Sequence, residues 1–172
     1  MWARRGAALC LLSLICSGAT GQKFALIDME YILKNIPAYE ITNEQLGQLS
    51  TKWQNEVEAL QEEAQNMYKS YQADLVFLSA EMKTKREEDI VKKEQEAQEL
   101  KRKYFGAEGE LYKRRESLMK PIQDEIYNAV KEISDKNGYQ LVIDRASAMS
   151  IIFATPKIDI SKEVLLKLGY AD

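Results

Sequence analysis

The chain is 172 residues long and 30% charged, contains no histidine, and carries 27 acidic against 24 basic residues for a formal net charge of −3. Its two cysteines, Cys10 and Cys16, both fall near the N-terminus, so the rest of the chain lacks the residues that usually bind transition metals or serve as nucleophile and base in covalent catalysis. An acidic balance also argues against nucleic acid as a partner, because backbone recognition runs on an excess of Lys and Arg.

At the N-terminus, Arg4 and Arg5 precede an apolar stretch from Ala7 to Cys16, and Ala19-Thr20-Gly21 follows with small residues of the kind a signal peptidase reads. The stretch is too short to span a bilayer. Residues 1–21 therefore read as a cleaved secretory signal, with Gln22 opening the mature chain. A lipid anchor on Cys16 is the rival, but large Ile15 sits where a small residue is expected. Removing Arg4 and Arg5 leaves 22 basic against 27 acidic residues, a mature net charge of −5, with no thiol and no possible disulfide.

Residues 22–41 form the first part of a small β-rich base. Lys23-Phe24-Ala25-Leu26-Ile27 has the pattern of a short buried strand, Asp28 can cap a brief helix over Met29 to Lys34, and Pro37 is expected to end it. From Thr42 to Leu78, Leu46, Leu49, Trp53, Val57, Leu60, Ala64, Met67, Tyr71, Leu75 and Leu78 recur at gaps averaging a little over 3.5 residues, the spacing of a coiled-coil seam. A helix of that span is roughly 55 Å long. Ser79 reads as the N-cap of a returning helix, so residues 42–136 are predicted to be a helical hairpin that projects as an arm.

The return begins with few large apolar residues: Met82, Ile90 and Val91 are all that Glu81 to Glu96 contains. A loose tip is expected. The seam resumes at Ala97, Leu100, Tyr104, Ala107 and Leu111, skips a rung among Lys113 to Arg115, and continues through Leu118, Ile122, Ile126, Val130 and Ile133. Gly106, Gly109 and Pro121 lie inside this pattern and predict bends. Residues 137–172 return to the base: Asn137-Gly138 stops the helix, Tyr139 to Asp144 is a second strand, Ile151 to Ala154 a third, and Ser161 can cap a last helix over Lys162 to Leu168. The fold class is α+β and mostly helical, with the end strands meeting to bring the bases of both long helices together.

A base this small buries little, and self-association is expected through the apolar strand residues Phe24, Leu26, Leu141, Ile143, Ile151 and Phe153. On the arm, Tyr68, Val76, Phe77, Phe105, Tyr112 and Met119 fall beside the seam and are candidates for weak, dispersed contacts with a partner chain; filling bends or packing against neighbouring arms is the plain structural alternative. The basic clusters 101–103 and 113–115 serve solubility or meet an anionic lipid head group. No Gly-rich phosphate loop or dinucleotide fingerprint is present, so no cofactor is expected. Adjacent acids such as Glu62-Glu63 point in different directions on a helix. Asp28 and Asp144, at strand ends, are the remaining candidates for carboxylate chemistry.

The opening Lys23 to Met29, the charged hairpin, Leu118-Met119-Lys120-Pro121-Ile122-Gln123, the Gly138 to Asp144 strand and the closing Asp159 to Leu165, taken in order over essentially the whole mature chain, resemble the Skp/OmpH family of periplasmic chaperones. That resemblance implies a homotrimer with a β-barrel body, helical arms enclosing a cavity, and an ATP-independent holdase in the periplasm whose partners are unfolded outer-membrane β-barrel proteins. This chain is acidic where the best-known members are basic, which weakens any charge-driven attraction to acidic clients or lipid. The competing non-enzymatic reading is an envelope tether or assembly spacer that binds one folded partner.

Overall fold

The computed structural model describes residues 21–170; the predicted signal, apart from Gly21, lies outside them. In chain order the elements are β1 (Lys23–Ile27), α1 (Met29–Lys34), α2 (Pro37–Asp74), α3 (Ala80–Phe105), α4 (Glu110–Asn137), β2 (Tyr139–Asp144), a 3-10 turn (Pro156–Ile158) and α5 (Ser161–Leu168). As expected, the two end strands meet. They pair in parallel, with Phe24 beside Leu141, Ala25 beside Val142, Leu26 beside Ile143 and Ile27 beside Asp144.

One face of this two-stranded sheet is covered by helices from both ends of the chain. Ala25 and Ile27 join Ile32 and Ile36, four residues of α4 (Ile122, Ile126, Ala129, Ile133), and Ile160, Val164 and Leu165 in a single core, with Val142 packed against it. Each isoleucine placed there contributes about 2 to 3 kcal/mol by removal from water.

Several boundaries differ from the sequence expectation. Pro37 does not end α1, which stops at Lys34; it opens α2, five residues before Thr42. At a first helical position the missing proline N–H costs nothing, and Ile36 before it is extended, as a residue preceding proline prefers. At its other end α2 stops at Asp74, short of Leu78. Ser79 does cap α3, accepting from the Met82 amide at 3.3 Å.

The largest difference lies in the return. The helix breaks completely at residues 106–109 into α3 and α4 and runs without interruption through Pro121. A Cβ on Gly106 would sit 2.5 Å from the Arg102 carbonyl oxygen, and one on Gly109 would sit 2.7 Å from that of Tyr104. The glycines are thus required by close backbone approach, and the bend becomes a gap. Pro121 lies on an exposed stretch of α4, where water can take the carbonyl that loses its donor.

Two expectations at the C-terminal end also fail. Ile151 to Ala154 forms no strand; β1 gains on that side an isolated bridge between Leu26 and Asp159. Ser161 is the first residue of α5 and not its cap: Asp159 Oδ1 accepts its amide, which leaves the Ser161 hydroxyl to accept from the Asp28 amide at 2.8 Å.

Along the long helices the seam repeats in sevens, with Val57, Ala64 and Tyr71 buried on α2 and Ile90 and Ala97 on α3. Polar rungs supplement it. Asp74 meets Arg86, Glu63 meets Lys93, the Tyr71 hydroxyl donates to Glu87, and Tyr104 donates to Glu56 at 2.6 Å while stacking on Trp53 at 4.5 Å. Both hydroxyls titrate above the ordinary tyrosine value, first because they donate to a carboxylate and second because they are partly desolvated.

Two outcomes follow. Ile90 is the one large buried apolar residue of α3, so Ile90→Ala should cost about 2 to 4 kcal/mol and speed amide exchange over residues 76–96 while leaving Ile126 protected. The two Tyr–Glu bonds, whose tyrosines have raised values when folded, contribute in full below about pH 10 and vanish as pH climbs through the raised values. Thermal midpoints should therefore drop above pH 10, and less so when Tyr71 and Tyr104 are both changed to Phe.

Candidate functional site

Among the described residues, most of the exposed large apolar side chains fall in two regions. The first is the sheet face opposite the core. Register neighbours share a face, so Phe24 and Leu141 stand side by side, as do Leu26 and Ile143, away from Ala25, Val142 and Ile27. Phe24 and Leu141 are each about half exposed, whereas Leu26 is buried and Ile143 half-buried. Ile151 is half-buried and Phe153 is 84% exposed in the loop that follows. None of these six belongs to the core cluster of the chain. Sequence reasoning missed Met149 and Ile152, which stand fully exposed in the same loop. Ile152 was hidden by the expectation of a strand over Ile151 to Ala154, which assigns alternate residues to an interior; Met149 lies before that span.

The second region follows the long helices. Val76 and Phe77, at the turn between α2 and α3, are 83% and 85% exposed. Tyr68 and Tyr112 are about half exposed; the Tyr68 hydroxyl accepts from Gln72 and that of Tyr112 donates to Glu116. Phe105 and Met119 are half-buried, and Phe105 lies edge-on to Tyr104 beside the break. These six are dispersed: α2, the turn, the end of α3 and the first half of α4 each supply one or two. Leu75 and Met82 join Val76 and Phe77 near the turn, and Val91 is exposed further along α3. The periodicity placed Leu75 in the seam, but the helix ends one residue earlier.

The surface between α2 and α3 is polar and acidic. An open groove of about 700 Å³ is lined by Glu58, Glu62 and Glu94, with Gln61, Gln65 and Tyr68. Of the basic clusters, Lys113 pairs with Glu110 within its own helix, and Lys103 lies 5.8 Å from the Tyr104 ring.

Asp28 and Asp144 sit close together, and main-chain donors occupy them. Asp28 Oδ1 accepts from the Tyr31 amide at 2.9 Å, and Asp144 Oδ1 accepts from the Met29 and Ala146 amides, each at 3.0 Å. Burial pushes the Asp144 carboxyl up, but its bonds to Met29, Ser147 and Ala146 outweigh that and hold it below the usual range. A carboxyl moved away from neutrality and used to cap a helix is badly placed for general acid–base work. Among the described residues no group of acids is arranged to hold a metal ion, and no helix is long and apolar enough to cross a membrane.

A family model described as outer membrane protein (OmpH-like) matches residues 23–168. The chaperone protein Skp of Yersinia enterocolitica is 28% identical over 162 residues, covering 91% of this chain and 95% of the relative. That of Pectobacterium atrosepticum is 23% identical over 155 residues, covering 90% of each. In three dimensions, an OmpH-like outer membrane chaperone from Caulobacter crescentus superposes with a TM-score of 0.68 at 12% identity, covering 88% of this chain and 86% of that one, which supports the fold. On the family match, spanning nearly the whole described chain, this protein belongs to the OmpH-like outer membrane protein family.

Proposed function

We propose that the protein is a non-catalytic, ATP-independent holdase that binds unfolded outer-membrane β-barrel proteins in the periplasm, using α2, α3 and α4 as antiparallel hairpin arms around a cavity between subunits of a homotrimer. The observation that carries the reading is the scatter of exposed apolar side chains, Tyr68, Val76, Phe77, Met82, Val91 and Tyr112 among them, along α2, α3, α4 and the turn between α2 and α3, on a surface rich in charged residues. A folded partner would favour one contiguous patch; an unfolded chain, which offers short apolar segments at irregular intervals, suits many weak and separated contacts. Holding by mass action needs no nucleotide. The Skp relatives, named as chaperones, support the same reading.

On this reading residues 22–41 and 137–172 form the body and 42–136 the arm, and the sheet face carrying Phe24, Leu26, Leu141 and Ile143 is where subunits meet. The division has a physical motive. A two-stranded sheet is marginal by itself, and an uncovered apolar face invites another copy. The acidic groove around Tyr68 means that charge does not draw acidic clients, so apolar contact supplies the affinity, and any lipid contact is peripheral.

Two tests follow. Ile143→Asp would set an unpaired charge in the meeting face and should abolish assembly, read as a fall to monomer mass by light scattering; a wild-type monomer, or an unchanged oligomer in the variant, counts against the trimer. Changing Tyr68, Phe77 and Tyr112 together to Ser should weaken binding of an unfolded β-barrel protein roughly tenfold or more, with each single change costing only about two- to threefold. Wild-type affinity should change little as salt rises. Unaltered affinity in the triple variant, or a steep loss with salt, would show that electrostatics does the holding.

A further inference from the structure

Arg145 stands where β2 ends, and the loop that follows carries Met149, Ile152 and Phe153 into solvent before the chain returns at Asp159. Both ends of this loop are moored to adjacent residues of β1: the Arg145 amide donates to the Ile27 carbonyl at 2.8 Å, and the Ile160 amide to that of Leu26 at 2.9 Å. The Arg145 side chain ties the same two ends together. Its Nε and Nη2 donate to Asp28 Oδ2 at 3.2 and 3.0 Å, and Nη1 lies 3.5 Å from Asp159 Oδ2. The other oxygen of Asp159 accepts from the Ser161 hydroxyl at 2.6 Å, and that hydroxyl accepts from the Asp28 amide at 2.8 Å, so the chain of contacts closes on itself.

Isolated surface ion pairs contribute little, because water screens them and two long side chains must be ordered. This one differs in its partners. Asp28 and Asp159 are only about one-fifth exposed, and each has its second oxygen committed to a donor that fixes its orientation: the Tyr31 amide for Asp28, and the Ser161 amide and hydroxyl for Asp159. Arg145 alone must find its place, and its rigid fork suits two fixed carboxylates as a lysine does not.

We propose that Arg145 is the positioning residue of the body: its guanidinium latches the two ends of the 146–158 loop through Asp28 and Asp159, and so holds the loop's apolar side chains in one arrangement for a second copy of the chain. The last step rests on the reading that subunits meet through the body. The latch itself does not. Without it, the loop keeps its two backbone moorings but loses the tie between them, and closing a flexible loop of this length again costs entropy at each encounter.

The experiment measures amide exchange and self-association together in the full mature chain. Arg145→Ala should speed exchange across residues 146–158 roughly tenfold while leaving Ile126 and Ala97 unchanged, and should raise the concentration at which the oligomer dissociates by a similar factor. Arg145→Lys should restore only part of this. Asp159→Asn, which keeps an acceptor for Ser161 and replaces the oxygen facing Arg145 with an NH2 donor, should loosen the loop in the wild-type background and add nothing once Arg145 is Ala; high salt should act on wild type and not on Arg145→Ala. Loop exchange that is unaltered in Arg145→Ala, fully additive effects of the two substitutions, or complete rescue by Lys would each overturn the latch. If wild type proves monomeric but the loop still loosens, the latch stands and the assembly reading falls; a loosened loop with unchanged association overturns the positioning role.

Discussion

Everything in this molecule hangs on a parallel pairing between two strands from opposite ends of the chain. β1 finds its partner only after α1, α2, α3 and α4 have been laid down between them, so the entire helical excursion is topologically a crossover connection. Parallel strands always demand such a connection, usually one helix long. Here the crossover has grown until it dominates the molecule, and the sheet it serves has shrunk to two strands. One consequence is an unusual distribution of contacts: local and helical through the middle, long-range at the base. The core that secures the base draws on α1, α4 from Ile122 onward and α5, so it is complete only when the C-terminal residues are in place.

The long helices solve a different problem. With an average charge density this high, a purely apolar seam is hard to maintain, and α3 in particular has only Ile90 and Ala97 fully buried. Tyrosine fills the deficit because it supplies ring area for the seam and a hydroxyl for a facing carboxylate. Tyr71 with Glu87 and Tyr104 with Glu56 are two instances of one device. It lets acidic residues stand next to the seam, and so permits the acidic groove between α2 and α3.

How much of this was legible beforehand follows from the range of the forces. Both strands that form, the short first helix and its Asp28 cap, the Ser79 cap and the Gly138 stop are set by neighbouring residues, and they read correctly. Pro37 was misread because a proline punctuates either side of a boundary, and only the packing of Ile36 and Thr42 decides which. Ile151 to Phe153 has strand composition but no strand beside it in a single chain, and composition cannot supply the partner. The dispersed apolar residues on the helices were identifiable as off-seam from periodicity alone. Their degree of exposure was not, since Phe105 and Met119 fall half inside while Val76 and Phe77 stand free.

The stack of Trp53 on Tyr104 gives the molecule an optical handle. Of the two tryptophans in the sequence, Trp2 lies in the predicted signal, which leaves Trp53 as the sole indole of the mature chain on that reading. It reports from one place: against a ring that closes α3, two residues before Gly106, on the helix that runs alongside the break. Emission excited through this indole therefore follows the seam at the break and is blind to the sheet and to the apex of the helices. Shape changes that begin at the glycines become visible without a label, and those confined to Val76 and Phe77 stay dark.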